Sequence, residues 1–91
     1  MPKKMKVRVV YFVYILYSYK YDKFYIGQTN SLRHRLAKHN SGFVKSTKLF
    51  IPYVIVWSVE KGTRNEAMAL EKKLKNLKSK PRLKKFIEKY S

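Results

Sequence analysis

Residues 7–18, Val-Arg-Val-Val-Tyr-Phe-Val-Tyr-Ile-Leu-Tyr-Ser, constrain the rest of the chain more than any other segment. Almost every position is β-branched, aromatic or aliphatic, so an extended strand built from them is apolar on both faces. Such a strand belongs in the middle of a sheet, with a neighbour on each edge and a layer over each face. The rest of a 91-residue chain must supply those neighbours around one hydrophobic core.

The candidates follow in order. Tyr19 to Lys23 reads as a turn, and Phe24 to Gln28 as a second strand that forms a hairpin with the first. Gly27 within it signals a bulge or a close approach of the backbone to another group. Asn30 or Ser31 can cap a helix over Leu32 to Asn40, which Ser41-Gly42 stops. Residues 43–52 are irregular and end at Pro52. Tyr53 to Glu60 is a third strand, bounded by Gly62. Thr63-Arg64-Asn65-Glu66 is a capping box that opens a helix running to about Lys78. Pro81 suits the first turn of a last helix through Tyr90, with Leu83, Phe86, Ile87 and Tyr90 at helical spacing. Residues 1–6 read as a basic flexible leader and 7–91 as a single domain. The order β-β-α-β-α-α predicts an α+β (mixed α/β) fold with a three-stranded sheet flanked by helices.

Charge narrows the function. Lys and Arg number 22 against 5 Asp and Glu, a formal net charge of +17. Solubility alone asks for a magnitude of roughly 2–8 in a small domain, so a polyanionic partner is expected. Eight Tyr, five Phe and one Trp in a chain that is 45% hydrophobic favour a folded nucleic-acid binder over a membrane-coating amphipath. The bland alternative is a solvated basic face. With no cysteine and two histidines, a disulfide framework, zinc ribbon, thiolate nucleophile or His-rich metal site is excluded. No apolar run approaches the roughly 18 residues of a membrane span, and no signal-peptide cleavage site follows the basic start. A soluble cytoplasmic protein is the expectation.

Polar residues on faces that should be buried mark the candidate site. Leu32 and Leu36 define the inward stripe of the first helix, and Arg35 and His39, one turn apart, stand beside them. A guanidinium there has lost part of its water and needs an anion; alternatively both side chains snorkel at the stripe's edge. Ala67, Leu70, Leu74 and Leu77 form the stripe of the long helix, with Glu71 at its margin. Of the five carboxylates, Glu66 caps, Asp22 sits in a turn, Glu60 ends a strand and Glu88 faces outward. Glu71 is either an i,i+4 partner of Lys75 or a functional acid. So few acids cannot assemble a two-metal phosphodiesterase site. One divalent ion held by a single Glu, water and substrate phosphate remains feasible.

Together, Val13-Tyr14-Ile15, Tyr25-Ile26-Gly27, the helix Leu-Arg-His-Arg-Leu-Ala-Lys-His-Asn (32–40), Gly42, Thr47-Lys48, Pro52 and Glu-Ala-Met-Ala-Leu-Glu-Lys-Lys-Leu (66–74) resemble the GIY-YIG nuclease superfamily. The similarity is to its small single-domain branch, related to the nuclease domain that acts in DNA repair by excision. It spans Val10 to Ile87. The resemblance implies an antiparallel sheet and hydrolysis of phosphodiester bonds with one divalent ion, Mg2+ or Mn2+, as the cofactor. By carry-over, Glu71 is the metal ligand, Arg35 contacts the scissile phosphate, and Tyr14 is the base for the attacking water. Tyr25 and His39 tune that base or relay its proton. Neighbouring cations and the metal should lower the Tyr14 pKa. Gly27 lets the backbone approach the site. Gln28 stands where the repair branch has a lysine, and Thr29, Lys38 and Lys48 are candidates to take over its phosphate contact. Lys75 and Lys78 extend the nucleic-acid path.

The reading is therefore a metal-dependent endonuclease of low sequence specificity, with DNA favoured over RNA and no small-molecule cofactor. The alternative is a non-catalytic basic nucleic-acid-binding module that keeps the nuclease fold. A third candidate is an RNA-associated basic protein whose aromatics only pack.

Overall fold

The computed structural model describes residues 9–90. The proposed leader, 1–6, lies outside them. Strand β1, Tyr11–Ser18, is the centre of a three-stranded antiparallel sheet in the order β2-β1-β3, with β2 at Lys23–Thr29 and β3 at Val54–Lys61. The double-sided apolar run is thus central, as its composition demands. Among the described residues it begins at Tyr11, with Val9 and Val10 outside it, while the first two residues of the expected strand, 7 and 8, lie outside the described residues. Tyr11 pairs with Lys61, the last residue of β3, and Phe12 with Thr29, the last of β2, so the start of the described strand coincides with the ends of its neighbours. The ladder to β3 is irregular between Ile15 and Leu16, which face Trp57 and Ile55.

Alternation along β1 sorts the core into two layers. Val13 and Ile15 pack with Ala67, Leu74 and Leu83, from helices α2 (Arg64–Lys75) and α3 (Lys80–Tyr90). Tyr14 and Leu16 pack on the opposite face with Tyr53, joined by Tyr25, and by Leu32 and Leu36 of α1 (Leu32–Asn40). A single turn of 3-10 helix, Lys48–Phe50, and a cis Ile51–Pro52 bond lead into β3.

The helix ends differ instructively from expectation. Ser31 is the extended N-cap residue of α1, but its hydroxyl makes no cap bond. Its amide instead donates to Thr29 Oγ1 at 3.1 Å, which ties the helix start to the end of β2. The capping box of α2 forms: the Glu66 amide donates to Thr63 Oγ1 at 3.2 Å and the Thr63 hydroxyl donates to Glu66 Oε1 at 3.0 Å. That helix stops at Lys75, three residues early, with Asn76 as its C-cap. Lys78 takes a left-handed φ of 50°, which redirects the chain into α3, while Leu77 still packs on the core from outside the helix. Apolar spacing alone does not reveal that break.

Two polar ties hold the periphery. Asp22, in the β1–β2 turn, accepts from the Tyr17 hydroxyl at 2.6 Å and from Lys80 Nζ at 3.0 Å. Asn40 Nδ2 donates to the Tyr53 carbonyl at 2.9 Å, and the Tyr53 amide donates to Asn40 Oδ1 at 2.7 Å, joining the end of α1 to the approach to β3. Among the described residues no helix is long and apolar enough to cross a membrane.

Candidate active site

The Tyr14 phenol is the hub. Tyr14 is opposite Gly27 in the β1–β2 ladder, and its ring lies across that glycine. A Cβ at position 27 would be 2.5 Å from the Tyr14 hydroxyl oxygen and 2.7 Å from Cζ, closer than atoms can approach. The glycine is therefore required by a close approach and not by a bulge, since its own pairing is regular.

Two side chains of α1 converge on this phenol. Its hydroxyl lies 3.1 Å from His39 Nε2, and Arg35 Nε donates to the same oxygen at 3.4 Å. The Tyr25 ring completes the group, centred 4.7 Å from the imidazole and 6.3 Å from the Tyr14 ring. His39 is fully buried, so the edge-snorkelling alternative fails for it. Arg35 is half-buried, with one face to a groove.

The other ring nitrogen of His39, Nδ1, lies 2.8 Å from Thr47 Oγ1, and the Thr47 hydroxyl donates to the Val44 carbonyl. With its own proton so directed, Thr47 accepts from Nδ1–H. Nε2 is then the bare nitrogen and accepts from the Tyr14 hydroxyl. Thr47 is buried and is the orienting residue that sequence reasoning did not assign; its place in the Thr47-Lys48 motif was the available signal.

The electrostatics correct one expectation. The Tyr14 pKa is raised, not lowered: burial disfavours the phenolate more than the Arg35 hydrogen bond favours it, and the charges of Tyr25 and Glu71 add to the upward push. Burial and the Arg35 charge together bring His39 down to about 4, so its imidazole is neutral at pH 7. Arg35 is held more firmly charged, chiefly by its bond to Tyr14.

Glu71 comes from the other layer. Its side chain is 20% exposed on α2, and Oε2 accepts from Lys75 Nζ at 3.0 Å. The ion pair is thus present, and the carboxylate still lies close enough to act on the Tyr14 phenol. Pairing with Lys75 therefore does not remove the acid from the phenol's surroundings. Among the described residues no cluster of three or more His, Asp or Glu could cage a metal ion. A lone half-buried carboxylate fits magnesium or manganese in its open mode, in which water and substrate phosphate fill most of the coordination sphere.

Four of the remaining candidates, Thr29, Lys38, Lys75 and Lys78, line two grooves. A groove of about 550 Å³ runs along α1, lined by Thr29, Arg35, Lys38 and neighbours. A second, about 260 Å³, lies between β2, α2 and α3, with Lys75 and Lys78 on its rim. Lys48 is exposed at the start of the 3-10 turn, and Gln28 sits half-buried opposite Val13; neither lines either of these two grooves.

Comparison with known proteins adds a family. The model of the GIY-YIG catalytic domain matches residues 10–86. A UPF0213 protein of Streptococcus pneumoniae is 37% identical over 65 residues, covering 70% of this chain and 65% of its own length. The UPF0213 protein YsiG of Lactococcus lactis is 44% identical over 63 residues, covering 67% of this chain and 59% of its own. The chain thus spans less than two thirds of either relative. The solution NMR structure of a UPF0213 protein from Bacillus halodurans superposes with a TM-score of 0.57 at 29% identity, over 89% of this chain and 85% of that one.

Proposed function

The chain belongs to the GIY-YIG family, and from that premise we propose that it is a divalent-metal-dependent endonuclease. Its substrate is DNA first and RNA second, cut with low sequence specificity by a single cytoplasmic domain. The observation that supports this best is the convergence of Arg35 and His39 on the Tyr14 hydroxyl, with the Glu71 charge in reach.

The chemistry follows from the proton positions. A phenol with a raised pKa is not a ready base, so Tyr14 must lose its proton as it gains one. The water's proton passes to Tyr14 Oη while the Tyr14 proton passes to His39 Nε2, which the Thr47 contact leaves bare, once the substrate phosphate on Arg35 offsets the positive charge that otherwise disfavours the imidazolium. Arg35 binds the scissile phosphate and offsets charge developing in the transition state. Glu71 would hold the Mg2+ or Mn2+ ion, which when bound polarises the phosphate and acidifies its water. Lys38, Lys48, Lys75 and Lys78, with Gln28 and Thr29, contact phosphates along the strand, which positions without specifying.

The test is a plasmid-nicking assay with magnesium or manganese. Glu71→Ala abolishes cleavage and leaves DNA binding largely intact. Arg35→Ala costs far more turnover than Lys78→Ala, because Arg35 faces the reacting phosphate. Equal losses from these two variants sink the site assignment. A wild type that cuts neither DNA nor RNA hands the role to the second reading, a basic nucleic-acid-binding module. That reading draws its support from the Lys75 pairing that occupies Glu71.

A further inference from the structure

We propose that Phe43 is a stacking platform for an unpaired nucleobase, so that the groove lined by its neighbours Lys38 and Ser41 takes single-stranded nucleic acid in preference to duplex. This rests on the nuclease reading only for the chemical class of the ligand.

Phe43 is 76% exposed, an unusual position for a ring of that size in so small a domain. It is nonetheless held in place. Its amide donates to Ser41 Oγ at 3.3 Å, the Ser41 hydroxyl donates to the Lys38 carbonyl at 2.7 Å, and the Gly42 amide donates to the His39 carbonyl at 3.3 Å. Gly42, at φ 80°, makes the left-handed step that turns the ring off the helix end. The ring therefore projects from a fixed base.

Its surroundings select the occupant. Lys38 Nζ stands 5.4 Å from the Phe43 ring centroid, and Lys38 and Ser41 both line the groove that Arg35 borders. An aromatic face beside a cation that itself lines a groove with a second cation matches the recurring design for single strands: a charged track with a stacking ring. The net charge of +17 favours an anionic polymer over an apolar protein surface. Bases inside a duplex have both faces covered by their neighbours, so only an unpaired base can offer a face to Phe43.

The experiment is fluorescence anisotropy at fixed salt with two probes, a fluorescein-labelled oligodeoxythymidine and the same strand annealed into a blunt duplex. Phe43→Ala is expected to weaken oligothymidine binding roughly 5- to 150-fold, leave duplex binding unchanged, and leave the folding transition where it was. Phe43→Trp retains the affinity. Lys38→Ala weakens both probes and lowers the slope of log affinity against log salt by about 1. Equal effects of Phe43→Ala on both probes, or none on either, overturn the proposal, as does a self-association that Phe43→Ala merely abolishes. Because binding requires no turnover, Phe43-dependent binding without cleavage would refute the nuclease reading and keep this one. Cleavage of single strands indifferent to Phe43 would do the reverse.

Discussion

At Gly27 the absence of a side chain is what the neighbouring phenol requires. Tyr14 can bring its hydroxyl to His39 and Arg35 only by crossing the place where a Cβ would be. Gly27→Ala should therefore displace the Tyr14 ring, cost about 1–3 kcal/mol of stability through overpacking, and reduce cleavage further than the stability loss explains. Gly62→Ala is the control, because a Cβ there meets nothing closer than Glu66 Oε1 at 3.9 Å. Denaturant melts and nicking rates on the two variants decide it; equal behaviour would contradict the close-approach account. The sequence signalled that Gly27 mattered, but not why, because the obstacle comes from a residue on another strand. The same holds for Thr47. A threonine in an irregular segment carries no periodicity, and only the folded chain brings its hydroxyl to His39. Arg35 and His39 were legible as polar groups beside an apolar stripe, and Tyr14 only through the family resemblance, since a strand tyrosine alone reads as core. The direction of the Tyr14 shift was not, since it depends on how completely the ring is enclosed.

Elements were read better than their ends. The central strand, its two partners and all three helices follow from hydrophobic period and capping chemistry, which act over a few adjacent residues. The boundaries that moved are set by something distant. Among the described residues β1 starts level with the ends of β2 and β3, and α2 stops where the chain must turn to bring Leu83 onto the core. The capping box is the most local of these devices, and its contribution is measurable on its own. Thr63→Ala removes the hydroxyl that receives the Glu66 amide, and should destabilise the protein by about 0.5–2 kcal/mol. Glu71 sits further along α2, beyond the capped turn, so cleavage per folded molecule should be unchanged. A fall in specific activity of the folded protein would mean that the start of α2 also positions its acid.

For the molecule as a whole, pH acts through the buried imidazole. Tyr14, Tyr25, Arg35 and Thr47 face His39, and no carboxylate is bonded to it. Its folded pKa of about 4 lies below the ordinary histidine value of 6.5, so between those values the unfolded chain binds the proton that the folded one refuses. Stability is therefore full above about pH 6.5 and declines as pH falls toward 4. Urea midpoints measured across that window should drop for the wild type. His39→Gln, less stable at pH 7, should show a flatter profile, and parallel profiles would remove His39 as the source. The Tyr14 group and Glu71 belong to the two opposite layers over the sheet, and the acid's charge still acts on the phenol. Open space meets the Tyr14 group at Arg35, which lines the groove along α1, a trough on the surface and not a chamber with a mouth. A long polymer can lie along such a trough sideways, with no free end to thread.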